Sequence, residues 1–221
     1  MANYINKDIL CQAYIHIDPV PIDKNELEDF KAALEAFLST RGKFFIYDEV
    51  DADVELKDGS LKVYATVVGS LYLAIAQYGS FRSGVDYLAS DVKRLSETLV
   101  SESLFQSKSR HDNIIRAEAR IGVAGRLKQL VDEIEFVESR VGEDSPRVIA
   151  KRLETIAENT QQLLDKLNDP QDIPYLKENL TEVAIESIRE KPFPLPKSPK
   201  DEEGESLYIV NRRQLLGLLK T

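Results

Sequence analysis

The chain has 221 residues, of which 43% are apolar and 30% are charged. This balance is typical of a globular protein rather than a disordered or membrane-spanning one, and the length allows one or two domains with a buried core. The 38 acidic and 29 basic side chains give a net charge of −9, which disfavours nucleic-acid or anionic-membrane binding over the whole surface but leaves room for a local basic patch. A single cysteine excludes an internal disulfide framework and fits a reducing compartment, so we expect a cytoplasmic protein.

The N-terminal part of the chain alternates between strand and helix patterns. Residues 9–17 have the composition of a strand. A capping-box pattern at Asp23 and Glu26 predicts the start of a helix, which we expect to end at Gly42. A second apolar run, residues 44–47, predicts another strand.

The dipeptide Asp58-Gly59 predicts a β-hairpin, because it separates two alternating segments and favours a type I′ turn. If Lys57 pairs with Ser60, apolar residues meet on one face and opposite charges on the other. The pairs expected in this register are Leu56 with Leu61, Val54 with Val63, and Glu55 with Lys62. With the preceding elements, the hairpin predicts a small α/β domain over residues 1–80.

Residues 81–190 have helical apolar spacing, so the fold class predicted for the whole chain is α+β with a helical bundle after the first domain. One long helix is expected over residues 114–137. Apolar residues at heptad spacing follow in residues 149–167, with Thr160 as a polar interruption. This heptad face either packs within the chain or recruits a second chain.

The C-terminal part consists of a predicted linker and a predicted docking segment. Residues 191–206 contain four prolines and a short acidic run, which predicts an extended linker. Residues 207–221 are apolar again but too short to form a core, so they dock onto this chain, a second copy or a different protein. The residues predicted to face a partner are Leu207, Tyr208, Ile209, Leu215, Leu216, Leu218 and Leu219.

The chain lacks the residues that most catalytic and metal sites require. Its histidines are His16 and His111 and its cysteine is Cys11, which is too few for a nucleophilic triad or a zinc site. On a strand, Cys11 and His16 point to opposite faces. No phosphate-loop, dinucleotide-binding or metalloprotease motif occurs, so we expect no cofactor and no resident metal.

An acidic run gives the best enzymatic alternative. Asp51, Asp53 and Glu55 would line one face of a strand, where carboxylates can hold Mg²⁺. Glu55 and Lys57 also resemble the D…ExK pattern of metal-dependent nucleases. A solvated strand face explains the same residues more simply.

Three arginines, Arg116, Arg120 and Arg126, lie in the basic first half of the predicted long helix and are candidates to bind an anion or an acidic partner. We expect no nucleic-acid binding there, because no aromatic residues interleave with them to stack on bases.

Residues 63–81 contain no charged side chain, and this stretch is long enough for a membrane span. Tyrosine, glycine, serine, threonine and glutamine dilute it, so a buried strand followed by a buried helix is the favoured interpretation. The alternative is a membrane-active effector that inserts this segment, in a setting such as bacterial stress or antiviral defence.

The sequence therefore predicts a non-enzymatic protein-interaction module, an adaptor, scaffold or subunit of a larger assembly. Its expected partner is another protein or a second copy of itself.

Overall fold

The computed structural model describes residues 7–18, 22–57, 61–141, 143–190 and 199–220. Within these residues the chain forms four strands and seven α-helices, in agreement with the predicted α+β class. The chain divides into two compact units, residues 1–125 and residues 126–221.

The first unit is built around one antiparallel sheet. Its elements are β1 (Asp8–Ile17), α1 (Leu27–Phe45), β2 (Asp51–Lys57), β3 (Leu61–Gly69), α2 (Leu71–Ala76), α3 (Phe81–Gln106), β4 (Ile114–Arg120) and the first residues of α4 (Gly122–Arg140). The strands lie in the order β2-β3-β1-β4. This is the order of a split β-α-β arrangement, in which each crossover skips one position in the sheet. Alternate apolar side chains of the central strands are buried on the face of the sheet where α1 and α3 pack.

The start of α1 is as predicted and its end is not. A short 3₁₀ turn, Lys24–Glu26, leads into the helix, and the Asp23 N–H donates to the Glu26 carboxylate at 3.4 Å. The helix continues past Gly42 to Phe45, so the strand predicted over residues 44–47 is wrong. Gly42 is buried, and a Cβ there would lie 3.0 Å from Cγ2 of Val50, so the glycine provides a close contact rather than a helix end.

The hairpin between β2 and β3 is present with a different register from the predicted one. Lys57 lies opposite Lys62 and Glu55 lies opposite Tyr64, a shift of two residues. The turn residues 58–60 lie outside the described residues. A shift of two leaves every side chain on its predicted face, because side chains alternate with period two, and the apolar pattern therefore cannot distinguish the two registers.

The uncharged stretch at residues 63–81 is split between elements. Its first part belongs to the central strand β3, and its middle part forms the short helix α2. The favoured interpretation, a buried strand followed by a buried helix, is confirmed. Among the helices that can be described, none combines the length and apolarity that crossing a membrane requires.

The long helix predicted over residues 114–137 is wrong for its first seven residues, which form β4 beside β1. The strand ends just before Gly122, which has φ +49°, and a Cβ there would lie 2.3 Å from the Ile9 carbonyl oxygen. Only glycine fits this left-handed, closely packed turn. Because β4 completes the sheet, the first unit extends to residue 125, beyond the boundary expected at residue 80.

The second unit is helical. It contains the remainder of α4 together with α5 (Pro146–Leu164), α6 (Asp172–Ser187) and α7 (Pro199–Lys220). The predicted heptad residues are buried; they are Ile149, Leu153, Ile156, Thr160, Leu163 and Leu167. α7 packs against α5 and α6, so this face is covered within the chain.

Residues 199–206, predicted to belong to an extended linker, form the first turns of α7 instead. Pro199 is the first helical residue, where a missing N–H costs nothing, and Asp201 and Glu202 in the first turn favour the helix dipole. Gly204 is buried, and a Cβ there would lie 2.8 Å from the Arg147 backbone nitrogen. The rest of the predicted linker, residues 191–198, lies outside the described residues.

Candidate functional site

The C-terminal residues predicted to face a partner lie on α7 and fall into three groups. Tyr208, Leu215 and Leu219 are buried. Leu207 is 39% exposed, and the half-buried ones are Ile209, Leu216 and Leu218. α7 thus docks within its own unit, one of the alternatives left open by the sequence. Contact between its exposed side and a partner stays a prediction.

Tyr208 fixes α7 in place. Its hydroxyl donates to the Arg189 carbonyl oxygen at 2.6 Å, and burial raises its pKa to about 12. Asn211 donates to the Ala150 carbonyl at 2.9 Å, and Arg212 donates to the Ile188 carbonyl at 3.0 Å. These polar contacts satisfy carbonyl groups at the ends and flanks of the neighbouring helices, so α7 is bound by more than its apolar side chains.

Polar and aromatic side chains lie together on the sheet of the first unit, on the face opposite α1 and α3; we call it the open face. Each strand contributes alternate residues to it. They are Gln12, Tyr14 and His16 from β1, Asp51, Asp53, Glu55 and Lys57 from β2, Lys62, Tyr64 and Thr66 from β3, and Arg116, Glu118 and Arg120 from β4.

An aromatic pair occupies the centre of the open face. Tyr14 and Tyr64 lie directly opposite each other on the two central strands, with ring centroids 4.8 Å apart. The Lys57 ammonium lies 4.7 Å from the Tyr64 ring centroid, and the Arg116 guanidinium lies 6.0 Å from that of Tyr14, within cation–π range. Loss of solvation and the contact with Tyr64 raise the pKa of Tyr14 above its ordinary value.

A shallow cavity of about 200 Å³ lies over this pair. Gln12 and Thr66 line one side, where the Gln12 amide donates to the Thr66 hydroxyl at 3.1 Å. Asp53, Glu55 and Lys57 of β2 and Arg120 of β4 also line it. The cavity therefore combines aromatic faces with both hydrogen-bond donors and acceptors.

Two of the three candidate arginines are brought together on β4. Arg116 and Arg120 both form ion pairs with Glu118, and the Arg120 Nε donates to that carboxylate at 2.8 Å. The hydrogen bond from Arg120, assisted by Arg116, holds the pKa of Glu118 below its usual range. Arg126 does not belong to this cluster, since it lies on α4 in the second unit, beside a small cavity that Glu133 also lines.

The acidic residues of β2 share one exposed strand face, as predicted. Asp51 forms an ion pair with Lys7, and Glu55 pairs with Lys57 at 3.4 Å. In the part of the chain that can be described, no three His, Cys, Asp or Glu side chains come together in a way that could hold a metal ion. The nuclease alternative therefore has no assembled metal site to support it there.

The cysteine and histidine of β1 lie on opposite faces, as predicted. Cys11 is buried on the face covered by helices, and burial raises the pKa of its thiol to about 12. His16 lies on the open face. The thiol is therefore protonated and has no nucleophilic character at neutral pH.

Strand β4 is unusual because it is exposed on both faces. It is one of the two outermost strands, and Ile115, which alternation from Arg116 places on the helix side of the sheet, is 61% exposed. Ala117 and Ala119 on the same side are exposed as well. α3 contacts β4 but leaves these three residues exposed, whereas the corresponding residues of the central strands are buried.

No protein-family model, curated protein or solved structure matches the chain. Function is therefore inferred from the residues and their geometry.

The sequence contained a signal for the tyrosine pair that the sequence analysis did not use. Residues 12, 14 and 16, and likewise residues 62, 64 and 66, place polar and aromatic side chains at every second position of otherwise apolar strands. That alternation marks an open face. The signal does not specify that the two strands are neighbours, and only the strand order makes the tyrosines a pair.

Proposed function

We propose that this chain is a non-enzymatic protein-interaction module that assembles with a second copy of itself, through antiparallel pairing of β4 with the partner's β4. The observation that carries the proposal is the exposure of β4. An outermost strand offers unpaired backbone groups to another strand, and natural proteins usually cover or charge such edges. On β4 the apolar side is uncovered too.

The charge pattern of β4 fits a second copy. In the register that overlaps all seven residues, the two-fold axis passes beside Ala117. Arg116 then lies opposite the partner's Glu118, and by symmetry this pair occurs twice. Cross-strand pairs of opposite charge stabilise a sheet by about 0.2–1 kcal/mol each. If the axis moved by one residue to Glu118, Arg116 would lie opposite the partner's Arg120 and the two would repel each other. The charges therefore favour the register centred on Ala117.

The helix side of β4 supports the same register. Ile115 lies opposite the partner's Ala119, again twice, and Ala117 lies opposite its own copy. A large side chain therefore faces a small one on either side of the axis, so the pair fits without steric conflict. Pairing also covers part of the exposed Ile115 side chain, which is favourable at roughly 25 cal/mol per Å² of apolar surface.

Glu118 can serve both its own chain and the partner. Its two oxygens already accept from Arg116 and Arg120 of the same strand, yet a carboxylate has about four acceptor sites. The pairs across the axis therefore add to the ion pairs within the strand.

Sedimentation equilibrium of the full chain tests the proposal through charge reversal. Arg116→Glu and Glu118→Arg each replace both cross-axis pairs by repulsive ones, and each is expected to weaken dimerisation about tenfold or more. An equimolar mixture of the two variants restores complementary pairs and is expected to form a heterodimer. Arg94→Glu on α3, where the side chain is 67% exposed, is the control with the same charge change.

Two results would contradict the proposal. One is a wild-type chain that remains monomeric at the highest concentration reached. The other is a dimer that Arg116→Glu leaves as stable as Arg94→Glu does. Recovery in the mixture separates complementary pairing from general destabilisation, because two merely misfolded variants would not rescue each other.

A further inference from the structure

The strand register assembles a row of basic side chains across the open face; we call it the basic row. Lys57 on β2 lies opposite Lys62 on β3, Lys62 lies opposite His16 on β1, and His16 lies opposite Arg116 on β4. All four strands thus contribute one basic group to a single line. The residues are far apart in sequence, so this row becomes visible only when the strand order is known.

Such a row is unfavourable for the isolated fold. Basic side chains placed directly opposite each other destabilise a sheet. Glu55 and Glu118 offset part of this cost at the two ends, where they pair with Lys57 and Arg116. Lys57 and Lys62 are the two ammonium groups that lie directly opposite each other in the row. An anion bound along the row would offset the repulsion between them.

The tyrosine pair lies in the next row of the same face. Tyr14 and Tyr64 are each two residues along the strand from His16 and Lys62, a separation of about 7 Å. An anionic group on the basic row and a planar group on the tyrosine rings can therefore belong to one ligand. Nucleotides linked by phosphodiesters have this combination of a charged backbone and flat bases.

We infer that the open face binds single-stranded nucleic acid, with phosphates along the basic row and bases stacked on the Tyr14 and Tyr64 rings, one base to each ring because the rings are tilted by 43° to each other. Aromatic side chains on exposed sheets stack on unpaired bases, and every base offers a π face. A duplex keeps its bases stacked inside and cannot present one to the rings. The charge of −9 belongs to the whole chain, whereas Lys57, Lys62 and Arg116 lie in one line of the sheet.

The polar groups around the tyrosines suit the edge of a base. Gln12 and Thr66 offer donor and acceptor atoms on one side of the pair. Asp53 and Glu55 line the same cavity and repel phosphate, so they direct the backbone toward the basic row. The sequence predicted no nucleic-acid binding by the arginines because no aromatic residues lie near them in the chain. In the fold, β4 places Arg116 beside Tyr14, so this reason no longer applies.

Fluorescence anisotropy with labelled ten-nucleotide RNA and DNA of mixed sequence tests the inference. Tyr14→Ala and Tyr64→Ala are expected to weaken binding by about 5- to 150-fold each. Tyr14→Phe and Tyr64→Phe keep the rings and are expected to bind nearly as the wild type does. Phe105→Ala removes a 76% exposed ring from α3 and is the matched control. Thermal unfolding of each variant shows whether it is folded.

Two further probes separate stacking from charge. A polyphosphate chain of matched charge has no bases and is expected to bind weakly, without a response to the tyrosine substitutions. Lys62→Ala is expected to lower the slope of log affinity against log salt concentration by about 0.7 for one lost phosphate contact.

The inference is overturned if neither oligonucleotide binds at low salt. It is equally overturned if folded Tyr→Ala variants bind like Phe105→Ala, or if polyphosphate binds as tightly as RNA and DNA do. Tyr64→Ala keeps the test independent of β4 pairing, because Tyr64 lies on β3, which does not pair with β4, and the sedimentation of this variant is expected to match that of the wild type.

Discussion

The two outer strands of the sheet have the same length and differ in what they offer to a second copy. Suppose that β2 paired antiparallel with β2 of a second copy so that all seven residues overlap. Asp51 would then lie opposite the copy's Lys57, but Asp53 would lie opposite the copy's Glu55 next to the two-fold axis, and each pair would occur twice. In the same register of β4, Arg116 lies opposite Glu118. Like charges therefore meet at the centre of a β2–β2 pair, whereas opposite charges meet at the centre of a β4–β4 pair.

Cover on the helix side reinforces this contrast. α1 packs against β2 and α3 packs against β4, yet Val54 of β2 is fully buried whereas Ile115 of β4 is 61% exposed. β2 therefore has the features of a protected edge, and β4 has those of a binding edge. The comparison indicates that association through one edge alone gives a closed dimer, since pairing at both edges would propagate without end.

The largest expected effect comes from breaking the end of β4. Gly122→Ala forces a side chain into left-handed backbone beside the Ile9 carbonyl, which costs about 1–3 kcal/mol from the backbone conformation alone, and the close contact adds to this. Urea denaturation is expected to show this loss. Gly217→Ala on α7, where a Cβ meets nothing within 4 Å, is the control and is expected to be neutral or slightly stabilising. Equal stability of the two variants would refute the role given to Gly122.

Converting the β2 edge is expected to change the size of the assembly. Asp53→Lys replaces each repulsive pair of Asp53 with Glu55 by an attractive pair of an ammonium with Glu55. The full-overlap register of β2 then becomes complementary, and each attractive pair is expected to stabilise it by about 0.2–1 kcal/mol. With both edges then able to pair, species larger than a dimer should appear in sedimentation velocity and grow with concentration. Asp53→Ala removes the carboxylate without creating an attractive pair, so it should produce few species larger than a dimer. A purely dimeric Asp53→Lys variant would show that charge does not protect β2.

A smaller effect is expected in the second unit. Tyr208→Phe leaves the Arg189 carbonyl without its donor and should lower the free energy of unfolding by about 0.5–1.5 kcal/mol, with no change in dimerisation. The raised pKa of Tyr208 gives this a pH signature. Its stabilising contribution is present below about pH 10, the ordinary tyrosine pKa, and is lost as the pH rises toward about 12. Chemical denaturation between about pH 8 and 11 should show a steeper loss for the wild type than for Tyr208→Phe; identical slopes would refute the assignment.

The smallest effect is expected on the exposed side of α7. Leu207→Ala removes a side chain that is 39% exposed and should change stability by less than about 0.5 kcal/mol. It therefore tests partner binding by α7 more cleanly than deletion of residues 207–221, which would also remove the buried Tyr208, Leu215 and Leu219. Association with a protein partner that Leu207→Ala weakens would support the predicted docking role; unchanged association would count against it.

Much of the fold could be predicted from local patterns, and the failures have identifiable causes. The capping box at Asp23, the strand composition of residues 9–17 and the heptad spacing in α5 each depend on near neighbours. β4 was missed because Ile114, Ala117 and Ile121 satisfy helical spacing while the same segment also alternates with period two. Pairing with β1, a contact between distant parts of the chain, decides between the two.

The candidate site could be predicted only in part for the same reason. Arg116 and Arg120 were identified as candidates, but the helical assignment separated them from any aromatic residue. Tyr14 and Lys62 gain their significance from neighbours on other strands. Strand order and register, which a single sequence specifies weakly, turn scattered residues into an edge and two rows.

Cysteine cross-linking at the proposed two-fold axis tests pairing of β4 most directly. With Ala117→Cys, the two Cα atoms should lie about 4.5–5.5 Å apart across the axis, a distance that a disulfide spans. With Ala119→Cys, the partner cysteine should be four residues away along the strand, about 13 Å, and out of reach. Cys11 is buried with a pKa of about 12 and does not compete. Under mild oxidation we predict a covalent dimer for Ala117→Cys alone; equal cross-linking of both variants, or of neither, would contradict the proposed assembly.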